Sequence, residues 1–378
     1  MVNFVKFFIF FVFFNLLIIN SYSVDTSKIS KILKQSTVYI SLKHSETLDE
    51  IAVGSGVVIN RIKNKFYILT NSHVIIYRDD NGDIFKPKES GYDVWFHPHE
   101  SVISGELDSF MVDDYIYWDS EDGQDFAILV IDFDHWIEEG YDFIPFEVIN
   151  DPSFLENGKN INDFIKKKKL SIEDIPKMVP IKIGSSFEVN ELDTVYAAGY
   201  PLIAGNKTQH AKHIFITSGE VNSFITVEED LEYLNNYSIV YRLGIKGGMS
   251  GGPVVNSEGE LIAINGLTES AYTVMQQASK KVKKTSAFIP RVFSFFVGLF
   301  LDDSIDKARE VSKQVYIPEK SVYDYGIIIE DIILASLLDN EFNNNPSSNF
   351  YNYLPLESIP EDELEYIKSL LEEESFSE

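Results

Sequence analysis

Cysteine is absent from this chain of 378 residues. That excludes disulfides and lipid attachment through a cysteine, so the fold must rest on its core. Basic residues are scarce as well: 32 Lys and Arg against 59 Asp and Glu leave a net charge of −27. Such a chain lacks the basic face that phosphates demand, so no nucleic-acid partner is expected, and anionic membrane surfaces repel it. The acidity is concentrated between Asp108 and Asp125 and between Glu357 and Glu378. Neither stretch has the alternating oxygen ligands and glycine of an EF-hand, so both read as solvated surface. No metal and no cofactor is expected.

Beyond the N-terminus, long apolar runs are also missing; Val292 to Leu301 is too short to cross a bilayer and reads as a packed helix. The N-terminus itself reads as a secretory signal over residues 1–23. Lys6 precedes an almost wholly apolar Phe7–Ile19, and Ser21-Tyr22-Ser23 offers a small-x-small cleavage site. An uncleaved anchor is the alternative. With cleavage after Ser23 the protein is secreted or periplasmic, without stable membrane association; the oligomeric state stays open.

What the sequence has in quantity is short apolar runs: Val38–Leu42, Val53–Ile59, Phe66–Leu69, Phe126–Ile131, Val195–Ala198, Ile214–Thr217, Ile239–Tyr241 and Leu261–Ile264. Rich in Val, Ile, Tyr and Phe and punctuated by Gly, Asn, Asp and Pro, they read as strands of an all-β barrel or sandwich. Two hairpin-like segments echo each other, one from Gly56 to Leu69 and one from Gly252 to Ile264, and hint at two similar β-domains. Asn157 to Lys177, with four consecutive lysines at Lys166–Lys169, interrupts this pattern as an insertion.

Chemistry concentrates in Gly248-Met249-Ser250-Gly251-Gly252-Pro253. Small residues around a serine let a carbonyl approach the backbone and leave amide N–H groups free to meet it. Serine nucleophiles need a histidine base and a buried carboxylate. Of seven histidines, His73 lies in Thr70-Asn71-Ser72-His73-Val74, at the end of an apolar strand that can project it into a cleft. His97 and His99 flank Pro98 with Glu100 beside them; lacking further ligands, they read as solvated loop residues rather than a metal site. His210 and His213 fall in a Lys-rich loop, and His44 and His135 stand alone. Asp125 precedes the apolar Phe126–Val130, a location that keeps a carboxylate out of bulk water. Asp114, Asp119 and Asp122 read as surface charges. The Gly-x-Ser-x-Gly pattern also fits the nucleophile elbow of α/β-hydrolases, but that fold needs a histidine after the serine, and none follows Ser250.

The order His73, Asp125, Ser250 and the three motifs around them resemble the chymotrypsin-fold, trypsin-like serine proteases of the bacterial HtrA/Deg-like or glutamyl-endopeptidase-like type. The likeness runs from about Ile32 to Val292. It implies two packed antiparallel β-barrels, over 30–156 and 181–292, while composition marks an inter-barrel insertion over 157–180 and an acidic, helix-rich extension over 293–378. It also implies a polypeptide substrate. In such enzymes the positions of Ser250, His73 and Asp125 serve as nucleophile, base and orienting acid, and the N–H groups of Gly248 and Ser250 form the oxyanion hole. Asn265, Gly266 and Leu267 correspond to the strand that pairs with the substrate main chain.

Departures from the pattern carry information too. Met249 replaces the aspartate that pairs with a newly cut N-terminus in trypsins, so activation by that ion pair is not expected. Gly244 falls where trypsins place a pocket-floor aspartate, and Asn265 where glutamyl endopeptidases use histidine, leaving a small or apolar P1 residue as the expectation. The stretch after Pro290 lacks the pattern of a PDZ domain. The alternative function is a catalytically inactive barrel that binds proteins.

Overall fold

The computed structural model describes residues 24–45, 50–78, 84–85, 87, 91–99, 110–118, 125–143, 166–202, 213–224, 237–268 and 324–333. The signal segment and the acidic end therefore lie outside the described residues, as do Asp119, Asp122, His210 and Val292–Leu301.

Helix α1 (Thr26–Ser36) opens the described chain, capped by Asp25, whose carboxylate accepts from the N–H groups of Ser27 and Lys28 at 3.1 Å. The first β-unit contains β1 (Thr37–His44), β2 (Glu50–Ile62) and β3 (Lys65–Thr70). A one-turn helix α2 (Ser72–Ile75) and the small hairpin of β4 (Tyr77–Arg78) and β5 (Ile84–Phe85) follow. Then come β6 (Tyr92–Pro98), β7 (Phe110–Met111), β8 (Asp114–Trp118) and β9 (Phe126–Asp132). All the pairings are antiparallel, in the order β7-β6-β1-β2-β3-β9-β8. The two edges of that sheet are halves of one bent strand. Met111, the last residue of β7, faces Trp95 of β6, Asp114 faces Val130 of β9, and only Val112 and Asp113 lie between. Their N–H groups donate to Val94 and Val130 respectively, at 2.9 and 3.0 Å, so the bend itself stays hydrogen-bonded to both β6 and β9 and curls the sheet into a half-barrel.

Strand alternation sorts the side chains. Phe66 and Ile68 of β3, with Ala127, Leu129 and Ile131 of β9, point into this barrel together with Val38, Ile40, Leu42 and Val58. Phe133, the first residue of α3 (Phe133–Glu138), plugs it, meeting Phe66, Phe96 and Phe110 edge-on at ring separations of 5.1–6.3 Å. The described part of the expected insertion is not an appendage. Lys166–Lys168 forms β11 against β10 (Tyr141–Phe143), and Leu170, Ile175 and Met178 pack into the same core.

The second unit is a closed six-stranded barrel in the order β12-β13-β14-β17-β16-β15. Its strands are β12 (Thr194–Gly199), β13 (Phe215–Phe224), β14 (Ile239–Tyr241), β15 (Pro253–Val255), β16 (Leu261–Thr268) and β17 (Asp324–Ile328). The boundary expected at residue 292 is thus too early. Strand β17 comes from the presumed extension and closes the gap between β14 and β16.

The outward residues of each barrel meet in a shared seam. Val57, Ile59, Leu69, Phe126 and Ile128 come from the first, and Ala198, Val255, Leu261 and Ile264 from the second. Ile29 and Leu33 of α1, and Ile329, Ile332 and Ile333 after β17, pack into the same cluster. This double burial explains why β3 and β9 read as unbroken apolar runs rather than alternating ones. Each such side chain stabilises the fold by roughly 1.5–3 kcal/mol. A chain ending at Tyr323 loses β17 and three seam isoleucines, and is expected to lose cooperative unfolding in urea, with its melting transition broadened.

Candidate active site

Asp125 sits at the end of the seam, just before β9, and its side chain is only 3% exposed. Its Oδ1 accepts from Ser72 Oγ at 2.7 Å and from the N–H of His73 at 3.0 Å. Its Oδ2 pairs with His73 Nδ1 at 2.7 Å and accepts from Tyr237 Oη at 2.6 Å. Asn71 Nδ2 donates to the Asp125 carbonyl at 2.8 Å, so the short helix α2 is sewn to the strand that carries the acid. His73 rides in that helix rather than on the end of β3. Burial alone would push the Asp125 carboxyl up; the His73 charge and the hydrogen bonds from His73, Tyr237 and Ser72 hold it below its ordinary value. Burial, and then the Asp125 charge, push Tyr237 well up, so its hydroxyl remains a donor.

The serine loop belongs to the second barrel but is fastened to the first. Ser55 of β2 donates its N–H to the Ser250 carbonyl and its Oγ to the Gly248 carbonyl, both at 2.8 Å, and that Oγ also accepts from the Tyr200 N–H at 2.9 Å. Gly251 has φ +79° and presses so close that a Cβ would lie 2.2 Å from Thr70 Oγ1 and 2.3 Å from the Ser55 carbonyl. No other residue fits there. Met249 is fully buried in the core of the second barrel, an apolar anchor for the loop. Gly248 has φ +88°. Among the described residues, the N–H groups of Gly248 and Ser250 donate to no protein acceptor and remain available to an incoming oxygen. Ser250 Oγ donates to the Gly266 carbonyl at 3.2 Å.

The expected substrate-facing residues divide. Gly244 is exposed with φ +68° and open space where a side chain would be. Asn265 does not offer an edge to substrate. It is fully buried, its N–H and C=O are taken by Gly252 and Gly251 at 2.8 Å, and its side chain accepts from Tyr241 Oη. Its role is to hold the serine loop. Gly266 presents its carbonyl to Ser250, and the Leu267 backbone lies opposite Tyr325. His97 corrects the solvated-loop reading. It is buried on β6, with Nε2 3.4 Å from Ser41 Oγ, and His99 hydrogen-bonds with Tyr200 through Nδ1 at 3.0 Å.

Three contributors escaped the sequence reading. Ser55 lies in Gly54-Ser55-Gly56, a run of small residues that signals close backbone approach. Tyr237 carries no motif. Asp324 lies far from the other motifs, yet its Oδ2 accepts from the N–H groups of Leu243, Gly244 and Ile245 at 2.7–3.2 Å and puts a buried carboxylate behind Gly244.

Residues 54–264, more than half of the chain, match the family described as "Trypsin-like peptidase domain". The chain belongs to this family. Like its other members this trypsin-like peptidase has the two-barrel fold of chymotrypsin-type serine proteases. No curated protein sequence matches it. Among solved structures it is similar to Deg5, at 16% identity over 64% of this chain and 83% of that one, with a TM-score of 0.37. It is also similar to Rv3671c of M. tuberculosis H37Rv in an inactive serine-to-alanine form. There the identity is 11% over 83% of this chain and 91% of that one, with a TM-score of 0.41.

The depressed Asp125 carboxyl has a signed consequence for stability. A folded-state value below the unfolded one stabilises the native state above about pH 4 and is lost as pH falls through the folded value. The stability advantage of the wild type over Asp125→Asn, measured by urea unfolding, is therefore expected to shrink as pH is lowered through the acid range below 4.

Proposed function

We propose that this trypsin-like peptidase is an exported serine endopeptidase working through His73, Asp125 and Ser250 and an acyl-enzyme intermediate. The observation that carries this reading is the ligation of Asp125: a buried carboxylate bonded at 2.7 Å to Nδ1 of a histidine whose side chain keeps 15% exposure. The acid is sheltered while the base stays reachable. Export rests on the sequence of residues 1–23 alone, and cleavage after Ser23 would leave Asp25 free to cap α1.

With Nδ1–H held by Asp125 Oδ2, the lone pair of His73 resides on Nε2, the tautomer a general base needs. As Ser250 Oγ bonds to the scissile carbonyl carbon, its proton passes to Nε2 and the carbonyl π electrons move to oxygen. The N–H groups of Gly248 and Ser250 receive that oxyanion. When it collapses, the C–N bond breaks and Nε2–H protonates the leaving amine, leaving the acyl group on Ser250. Water, deprotonated by His73, then repeats the sequence, releasing the acid and restoring the serine. Asp125 stays ionised throughout and stabilises the imidazolium formed in each half.

An alkyl fluorophosphonate is expected to label the wild type and not Ser250→Ala, and His73→Ala is expected to lower kcat by about 10⁴–10⁶. A folded wild-type protein that takes no label would instead be the inactive binding barrel.

A further inference from the structure

Sequence motifs account for Ser250, His73 and Asp125, yet one of the four donors on Asp125 belongs to none of them. Tyr237 enters from the connection between β13 and β14, on the second barrel, and its hydroxyl crosses the seam to Oδ2 of Asp125 on the first. We propose that Tyr237 is a positioning residue of the triad: its hydroxyl fixes the Asp125 carboxylate so that His73 Nδ1 meets Oδ2 in a single orientation. This rests on the triad reading given above.

The structure makes room for that hydroxyl on purpose-shaped backbone. Gly266, whose carbonyl accepts from Ser250 Oγ, lies directly under the Tyr237 ring; a Cβ there would stand 2.0 Å from Cε1 and 2.7 Å from Cδ1. One glycine thus touches both the nucleophile and the residue that orients the acid. The next residue pins the tyrosine backbone. The Ser238 N–H donates to the Gly326 carbonyl at 3.0 Å, its Oγ donates to the Asp331 carboxylate, and that Oγ also accepts from the Ile328 N–H at 3.3 Å. The seat of Tyr237 is therefore β17 and the residues just after it, and a correct triad requires both barrels and β17 to be in place.

A carboxylate has about four lone-pair sites, and the four donors of Asp125 occupy them. With Tyr237 removed, Oδ2 keeps only the His73 bond and the carboxylate can turn. A turned carboxylate no longer holds His73 Nδ1 in one orientation, so the loss falls on the proton-transfer steps rather than on substrate binding.

Tyr237→Phe keeps the ring and its packing, and so isolates the hydroxyl. It is expected to lower kcat on the order of tenfold or more with KM changed less than about twofold. Thermal melting identifies the folded fraction used for each rate. A Gly266→Ala variant, in which the new methyl displaces the ring, should be slowed further by nothing when Tyr237→Phe is added, because the hydroxyl has already left Oδ2. Unchanged kcat in Tyr237→Phe, or full multiplicative losses in the double variant, would overturn the proposal while fluorophosphonate labelling of the wild type still stood. A wild type that fails to label overturns the triad reading itself.

Discussion

A carboxylate placed in an apolar seam is the constraint to which the rest of this structure answers. Taking an ionised group out of water costs several kcal/mol unless its lone pairs are met. Asp125 meets that cost with three donors from α2 and one from Tyr237 on the opposite barrel. The ligation holds the carboxylate ionised at neutral pH, selects the histidine tautomer, and requires the two barrels to dock in one relative position. Removing a single partner leaves a buried charge short of a bond. The geometry of the candidate site and the inter-barrel packing are, at this point, one interaction.

The serine loop answers the same constraint from the other side. Its carbonyls at Gly248 and Ser250 are bound by Ser55 of the first barrel, Gly251 lies against Thr70, and Met249 is buried in the second. With its carbonyls held by the scaffold, the loop leaves the Gly248 and Ser250 N–H groups without a protein acceptor among the described residues. Such preorganisation matters because dipoles already aimed at a developing charge need no reorganisation during reaction.

Much of this was legible in the sequence, for identifiable reasons. The eight apolar runs all lie in or overlap strands, because barrel strands buried on both faces cannot hide their composition. His73, Asp125 and Ser250 stood out because each lies at an edge where an apolar run gives way to small or polar residues. Other features left no local mark. Strand β17 is distant from its neighbours in the chain, and its pairing with β14 and β16 is set by barrel closure rather than by composition. Asp324 and Tyr237 act through contacts made only after that closure. His97 was misread for a related reason: the strand pairing with β1 that buries it lies more than fifty residues away in sequence.

The most direct test of the account is the crystal structure of a complex with a peptidyl boronic acid, whose tetrahedral adduct imitates the intermediate. The account predicts a bond from boron to Ser250 Oγ and one boronate oxygen within about 3.1 Å of both the Gly248 and Ser250 N–H nitrogens. It further predicts Asp125 still bonded to His73 and Tyr237. A fully occupied inhibitor bound without that covalent bond, or with its boronate oxygens turned away from both N–H groups, would contradict it.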